Sequence, residues 1–332
     1  PDAPPLAAAP EAGMEPGLRL LRPEDFPALA ALSKEAFGAA IPEAEWPWKY
    51  ADAPFRAPSL VAERDGSLLG FFGAWATRYR GAGVDLPGVA AVDVMTGRAA
   101  RALGRAGVFR RLALAVFEAN GEAGAPFVFG FPNDRHRVTG ERLLDYVEVE
   151  RCGALEAAPS RLPSRRLAPL RRVARGAPFG RAHAPLAEAL HARPGLRADR
   201  SAASVEWRFR RRPGVAYDVV QLLDLLGRSR GYAAVRLDGP VARLVDLQVR
   251  DEEGPDLPDL LSAVAATALP AGASVVSVRL PRTGLLARRL AGELGFGEGT
   301  TDCSLTVRRL RDDADLGAAR AFDYRFSDHD VF

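Results

Sequence analysis

The sequence is poor in several residue types, and each scarcity excludes something. Cysteine occurs twice, at Cys152 and Cys303, with no metal-ligand spacing around either, so the chain spells out neither a disulfide framework nor a zinc site. No run of 18 apolar residues exists, which leaves no candidate for a membrane-spanning helix. Residues 1–17 are rich in Pro and Ala and lack the basic and apolar regions of a signal peptide; they are expected to form a flexible leader. With two cysteines and no targeting segment, the expected setting is reducing and cytoplasmic. His136 lies among arginines and His183 in an arginine-rich stretch without an acidic or thiol partner, so both are expected at the surface. No Ser or Cys stands in a nucleophile-elbow context, and no His/Asp/Glu cluster has metal spacing, so no metal is assigned.

Lysine is scarcer still. Lys34 and Lys49 stand against 43 arginines. Fourteen of those arginines fall between Pro159 and Arg212, opposed only by Glu188, Asp199 and Glu206, in a chain whose net charge is +3. Such a strip is either a solvated connector or an attractor for an anionic partner.

What is present is ordinary globular material, 332 residues with 48% hydrophobic and 26% charged, enough for two domains. Leu29, Leu32, Ala36 and Phe37 repeat at the helix period after a Pro23-Glu24-Asp25 start signal. Strands are expected at 59–64, 67–75 and 89–95, the first two joined by an Asp65-Gly66 turn. Phe109, Leu112, Ala113, Val116 and Phe117 then mark a helix. A strand at 126–131, a helix at 138–144 and a strand at 146–155 complete the first half. The second half shows the same order: strands at 216–223, 231–237 and 241–249, a helix at 257–268, a strand at 273–281, a helix at 285–294 and a strand at 303–310. Two copies of βββαβαβ predict a mixed-sheet α/β fold in tandem modules. The expected division is 1–17 leader, 18–158 first module, 159–200 connector, 201–332 second module.

The loop after Val92-Asp93-Val94-Met95-Thr96 reads Arg101-Ala102-Leu103-Gly104-Arg105-Ala106-Gly107-Val108-Phe109. Glycine at a helix N-terminus lets backbone N–H groups approach a phosphate. The next strand ends Phe129-Gly130-Phe131-Pro132-Asn133, and a Leu144-Asp145-Tyr146 turn follows. Together these residues resemble the GNAT superfamily of N-acyltransferases, in its two-domain branch with a Gly-Phe-Pro-Asn strand end. The resemblance covers nearly the whole chain after about residue 18. It implies an acyl-CoA co-substrate, acetyl-CoA above all, held by Val94, Met95, Thr96, Arg101, Gly104, Arg105, Ala106, Gly107, Val108, Phe109 and Asn133. Two registers of the Arg/Gly loop remain open. The second half has Asp251, Glu252, Glu253 and Asp256 where a phosphate would sit, so one cofactor site per chain is expected.

For acyl transfer to an amine, a base, an oxyanion donor and an acid for the leaving thiol are needed. Asp93, beside the expected reaction centre, is the candidate base; a structural carboxylate is the alternative. The acid position that the resemblance points to carries Glu141. The tail, with Phe322, Tyr324 and Phe326 among acidic residues, offers Asp328, Asp330 and the carboxylate of Phe332; it either docks in the cleft or frays. Trp46, Trp48, Tyr50, Phe131 and His329 are expected to bind the acceptor, with core packing the other reading for the aromatics.

A small-molecule amine, such as an amino sugar or a biosynthetic intermediate, is the expected acceptor. Two alternatives stand: an aminoacyl-tRNA-dependent transferase of tandem GNAT type, favoured by the basic strip but disfavoured by the phosphate loop, and a non-catalytic acyl-CoA-binding protein. Nucleic acid is thus the less favoured partner, and the sequence leaves an oligomer open.

Overall fold

The computed structural model describes residues 16–102, 105–164, 167–168, 170–315, 317 and 320–328, with the side chains at 101, 102, 105 and 106 outside the description. The first half contributes strands β1 Gly17–Leu20, β2 Leu60–Arg64, β3 Ser67–Gly81, β4 Val84–Thr96, β5 Phe127–Gly130 and β6 Val147–Ala157. Its helices are α1 Phe26–Phe37, α2 Glu45–Tyr50, α3 Arg98–Ala102, α4 Arg105–Glu122 and α5 Asp134–Leu144. Then come β7 Arg171–Arg175, α6 Ala184–His191, β8 Arg197–Ala198 and α7 Ala202–Arg210. The remainder is β9 Asp218–Asp224, β10 Ser229–Asp238, β11 Val241–Val249, α8 Asp256–Ala268, β12 Val275–Arg279, α9 Leu285–Glu293 and β13 Gly297–Arg309.

All these strands join one mixed sheet in the order β1-β2-β3-β4-β5-β13-β6-β12-β11-β10-β9-β7, with β8 beside β3. The expected βββαβαβ order appears in β2 to β6 and again in β9 to β13. The expected β2–β3 turn also forms, with Asp65 and Gly66 both at positive φ, as a two-residue hairpin needs. The hairpin β3–β4 runs longer than the hydrophobic pattern indicates, because it continues to a turn at Ala82 and Gly83, also at positive φ.

The two halves interleave. β13 lies antiparallel between β5 and β6, while β6 pairs with β12. Each half thereby completes the other's sheet, and Cys303 comes opposite Cys152 in the β13–β6 register. Both cysteines are buried and free. Separate cores lie under α4 (Phe72, Leu112, Val116, Phe117) and under α8 (Leu247, Leu257, Leu261, Val264).

The arginine-rich stretch is folded into the sheet and its helices. β7 pairs with β9, β8 pairs with Tyr79 and Arg80 of β3, and α6 packs on β10. Among its arginines, Arg171 pairs with Asp256 at 2.9 Å, Arg193 with Glu252, Arg197 with Asp323, and Arg200 with Asp246 and Asp328, while Arg161, Arg172, Arg175 and Arg181 are exposed. His183 is buried, against the surface expectation, with Nε2 2.8 Å from the Arg200 carbonyl. His136 is exposed.

Among the described residues, no helix is long and apolar enough to cross a membrane.

Candidate active site

β4 and β5 run parallel but pair only at Val89–Val128 and Ala90–Phe129. Beyond those pairs the strands part, and residues 91–96 of β4 face the opening. On the other edge, β4 pairs with β3 through Gly73–Val92 and then Phe71–Met95. Asp93 and Val94 thus oppose the single residue Phe72, which is a β-bulge. Asp93 takes φ 49° there, a left-handed conformation that Asp tolerates better than most residues.

The bulge turns the Asp93 carboxylate onto the face covered by α2. Lys49 donates from Nζ to Asp93 Oδ2 at 2.9 Å, and the Tyr50 hydroxyl donates to the same oxygen at 2.6 Å. The Lys49 and Asp93 side chains are each only 4% exposed, so this is a charge-assisted pair in a low-dielectric setting. The six residues of α2 are held by aromatic packing: Trp46 stacks on Tyr50 and meets Phe71 edge-on. Gly73 makes room, because a Cβ there would lie 2.1 Å from the Tyr50 hydroxyl.

Opposite this cluster, β4 ends at Thr96 and the chain turns through Gly97 into α3 and α4. The Glu35 carboxylate accepts from the Arg98 N–H. Gly107, in the first turn of α4, looks into open space: a Cβ added there would meet nothing within 4 Å. The Val108 side chain is buried, and Phe109 is half-buried against the same core. Met95 is likewise a core residue, and Val94 packs towards the α4 core. Gly104 and the side chains of Arg101, Arg105 and Ala106 lie outside the described residues.

A cavity that opens to solvent lies on the sheet face that α2 shares. Trp75 and Ala90, two register positions from Gly73–Val92 and so on the same face, form part of its floor. Trp207 and Arg208 of α7 wall it, and Arg208 lies 4.4 Å over the Trp75 ring. Asp199, Arg200 and Asp328 line its far end.

Asp328 arrives on the chain's tail, which folds back: Phe322 stacks on Phe129 at 4.6 Å, Tyr324 meets Phe131, and Phe326 is fully buried. Burial pushes the Asp328 carboxyl up, against the lowering effect of Arg200. Arg325 donates to the Leu247 carbonyl at 3.2 Å, so the tail also covers part of β11. His329, Asp330 and Phe332 lie outside the described residues.

Several expected site residues do something else. Trp46 is core, not pocket wall, and Trp48 is buried against Trp207. Asn133 caps α5, its side chain accepting from the His136 N–H, so its oxygen is committed to the helix. Glu141 is ion-paired to Arg137 on the same helix at 2.7 Å. Phe131 is half-buried against the tail. Asp145 adopts φ 52° as the α5 C-cap, filling the place where a glycine is usual.

The sequence reading missed Lys49, Gly73, Trp75 and Arg208. Only the rarity of lysine could have singled out the first.

No family model matches the chain, and no curated protein matches it. Solved structures do match. A probable N-acyltransferase from Enterococcus faecalis aligns over 90% of this chain and 73% of its own, at 11% identity and a TM-score of 0.68. A GCN5-related N-acetyltransferase from Kribbella flavida aligns over 92% and 74%, at 17% identity and a TM-score of 0.65. A tandem GNAT protein from the clavulanic acid biosynthesis pathway aligns over 90% and 100%, at 14% identity and a TM-score of 0.56. The chain therefore has the GNAT acetyltransferase fold. At these identities the likeness is one of fold.

Proposed function

We propose that this protein is an acyl-CoA-dependent N-acyltransferase that moves an acyl group, acetyl in the simplest case, to the primary amine of a small molecule. The observation that carries this reading is Asp93, which stands on the stretch of β4 that parts from β5 and whose carboxylate is turned by a positive-φ bulge onto the face under α2, against Lys49 and Tyr50.

The open edge of β4 suits the amide-bearing pantetheine arm, and the open first turn of α4 at Gly107 suits the pyrophosphate. Asp93 takes the proton of the attacking amine. A backbone N–H near Val94 or Met95 stabilises the oxyanion. Tyr50, already hydrogen-bonded to Asp93, is the phenol best placed to return a proton to the departing thiolate, a role that the Arg137 ion pair denies Glu141. The acceptor occupies the cavity beside Trp75 and Trp207, with Asp328 at its far end.

The division into two tandem GNAT-like modules, 18–158 and 201–332 joined by 159–200, belongs to this proposal. The second module would hold no acyl-CoA, because Asp251, Glu252 and Glu253 follow β11 and Arg325 covers the Leu247 carbonyl. The tRNA-dependent alternative loses part of its support, since six of the fourteen arginines of the basic strip, Arg171, Arg193, Arg197, Arg200, Arg210 and Arg212, are engaged with acids of the same chain.

Calorimetry with acetyl-CoA, followed by thiol release across a panel of amines, tests the reading. Binding with turnover supports it. Binding without turnover of any amine would favour the non-catalytic alternative, and absence of binding would overturn both.

A further inference from the structure

Lys49 is a chemical exception in this molecule. Among the described residues, the other strongly basic side chains that are buried are all guanidinium groups: Arg197, Arg200, Arg208, Arg279 and Arg325. A guanidinium stays protonated and is no nucleophile, whereas an ammonium beside a carboxylate in a dry site can surrender its proton and attack. In a chain with 43 arginines and two lysines, the cation set against Asp93, at the parting of β4 and β5, is a lysine. The other, Lys34, is exposed on α1.

We propose that Lys49 is a self-acylation site, taking the acyl group of bound acyl-CoA when no amine acceptor fills the cavity. The inference rests on the acyl-CoA reading of the same site. In the step, Lys49 Nζ gives a proton to Asp93 and attacks the thioester carbonyl. The C–N bond forms, the C–S bond breaks, and of the two protons that nitrogen loses, one leaves on the thiol and one passes through Asp93 to solvent. The product is an amide, which does not donate its acyl group onward, so the modification is an end state and not a relay. It also removes the positive charge facing Asp93, and a buried carboxyl without that charge favours its protonated form. Self-acylation therefore silences the proposed base when acyl-CoA outruns acceptor.

The test uses the full chain incubated with acetyl-CoA without amine, followed by peptide mass spectrometry. Acetyl is expected on Lys49 ahead of Lys34. An N-hydroxysuccinimide ester, which reacts by exposure alone, is expected to show the reverse order. Heat-denatured protein should lose the preference for Lys49. Lys49→Arg keeps the charge and should abolish the modification while acetyl-CoA still binds by calorimetry. An unmodified Lys49 in protein that demonstrably binds acetyl-CoA overturns the self-acylation alone. Absence of acetyl-CoA binding overturns it together with the functional reading.

Discussion

Trp48 and Trp207 stack with ring centroids 4.6 Å apart, and each indole N–H donates to the other's backbone carbonyl, at 3.1 and 3.0 Å. The pair ties α2, which holds Lys49 and Tyr50 against Asp93, to α7, which walls the cavity. Removing Trp207 should therefore loosen both sides of the site. Trp207→Ala is expected to cost about 3–5 kcal/mol in denaturant unfolding and to raise KM for the amine. A stability loss of under about 1 kcal/mol would show that the pair bears little of the interface.

Asp93→Asn keeps the left-handed backbone, which Asn tolerates, and removes the charge. We expect kcat to fall about 10²-fold or more at unchanged acetyl-CoA affinity, with loss of the acidic limb of the pH–rate profile. Near-normal turnover with that limb intact would make Asp93 a structural carboxylate.

Gly107→Asp places a carboxylate in space that is open in the fold, so folding should survive. Acetyl-CoA affinity is expected to drop about tenfold or more, ~1.4 kcal/mol, with Gly107→Ala much milder. Equal affinities for the wild type and Gly107→Asp would remove α4 from the phosphate site.

Gly73→Ala drives a methyl group into the Tyr50 hydroxyl. The expected cost is about 1–3 kcal/mol of stability, together with a fall in kcat, because Tyr50 must leave Asp93. Tyr50→Phe should recover part of the stability of Gly73→Ala by removing the clashing oxygen, though not the part due to the Val92 carbonyl 2.7 Å from the new Cβ, and it should not recover kcat. If the double variant is no more stable than Gly73→Ala, the contact is not the cause.

Burial pushes the His183 imidazole below its ordinary 6.5, with desolvation the leading cause and the bond to the Arg200 carbonyl opposing it. His191 is shifted the same way, again chiefly by desolvation. Just below that value the unfolded chain binds more protons than the folded one, so stability rises with pH across the window. The histidine contribution is complete above about pH 6.5 and is lost as pH falls. Asp328, raised by burial, works with the opposite sign, its contribution declining as pH rises above the ordinary carboxylate range. His183→Gln isolates the imidazole: its Tm should decline less steeply than that of the wild type from pH 6.5 to 5. Parallel declines would assign the acid loss to other groups.

The interior of each half was legible as local pattern. The strand at 241–249 coincides with β11 residue for residue, and the helix at 257–268 lies within one residue of α8. α8 buries one face at the helix period, whereas β11 is an apolar-rich run between turn residues that is buried on both faces from 244 to 249. Asp93 stood out as a carboxylate just before the expected phosphate loop. Its partners did not, since Lys49 and Tyr50 lie more than 40 residues earlier on a six-residue helix with no usable period.

By itself, the sequence determined the order of the elements in the two βββαβαβ sets, the turn at Asp65-Gly66, and the position of a glycine-bearing loop after an Asp-containing strand. These are set by steric and hydrophobic preferences acting over a few residues. Only the tertiary structure decided that β13 would enter between β5 and β6, that Arg171, Arg193, Arg197 and Arg200 would turn to buried or half-buried acids, that His183 would be buried, and that a bulge would bring Asp93 against Lys49 and Tyr50. Each of those depends on which strand edges and buried charges need partners once distant segments have met, and local periodicity carries no record of that.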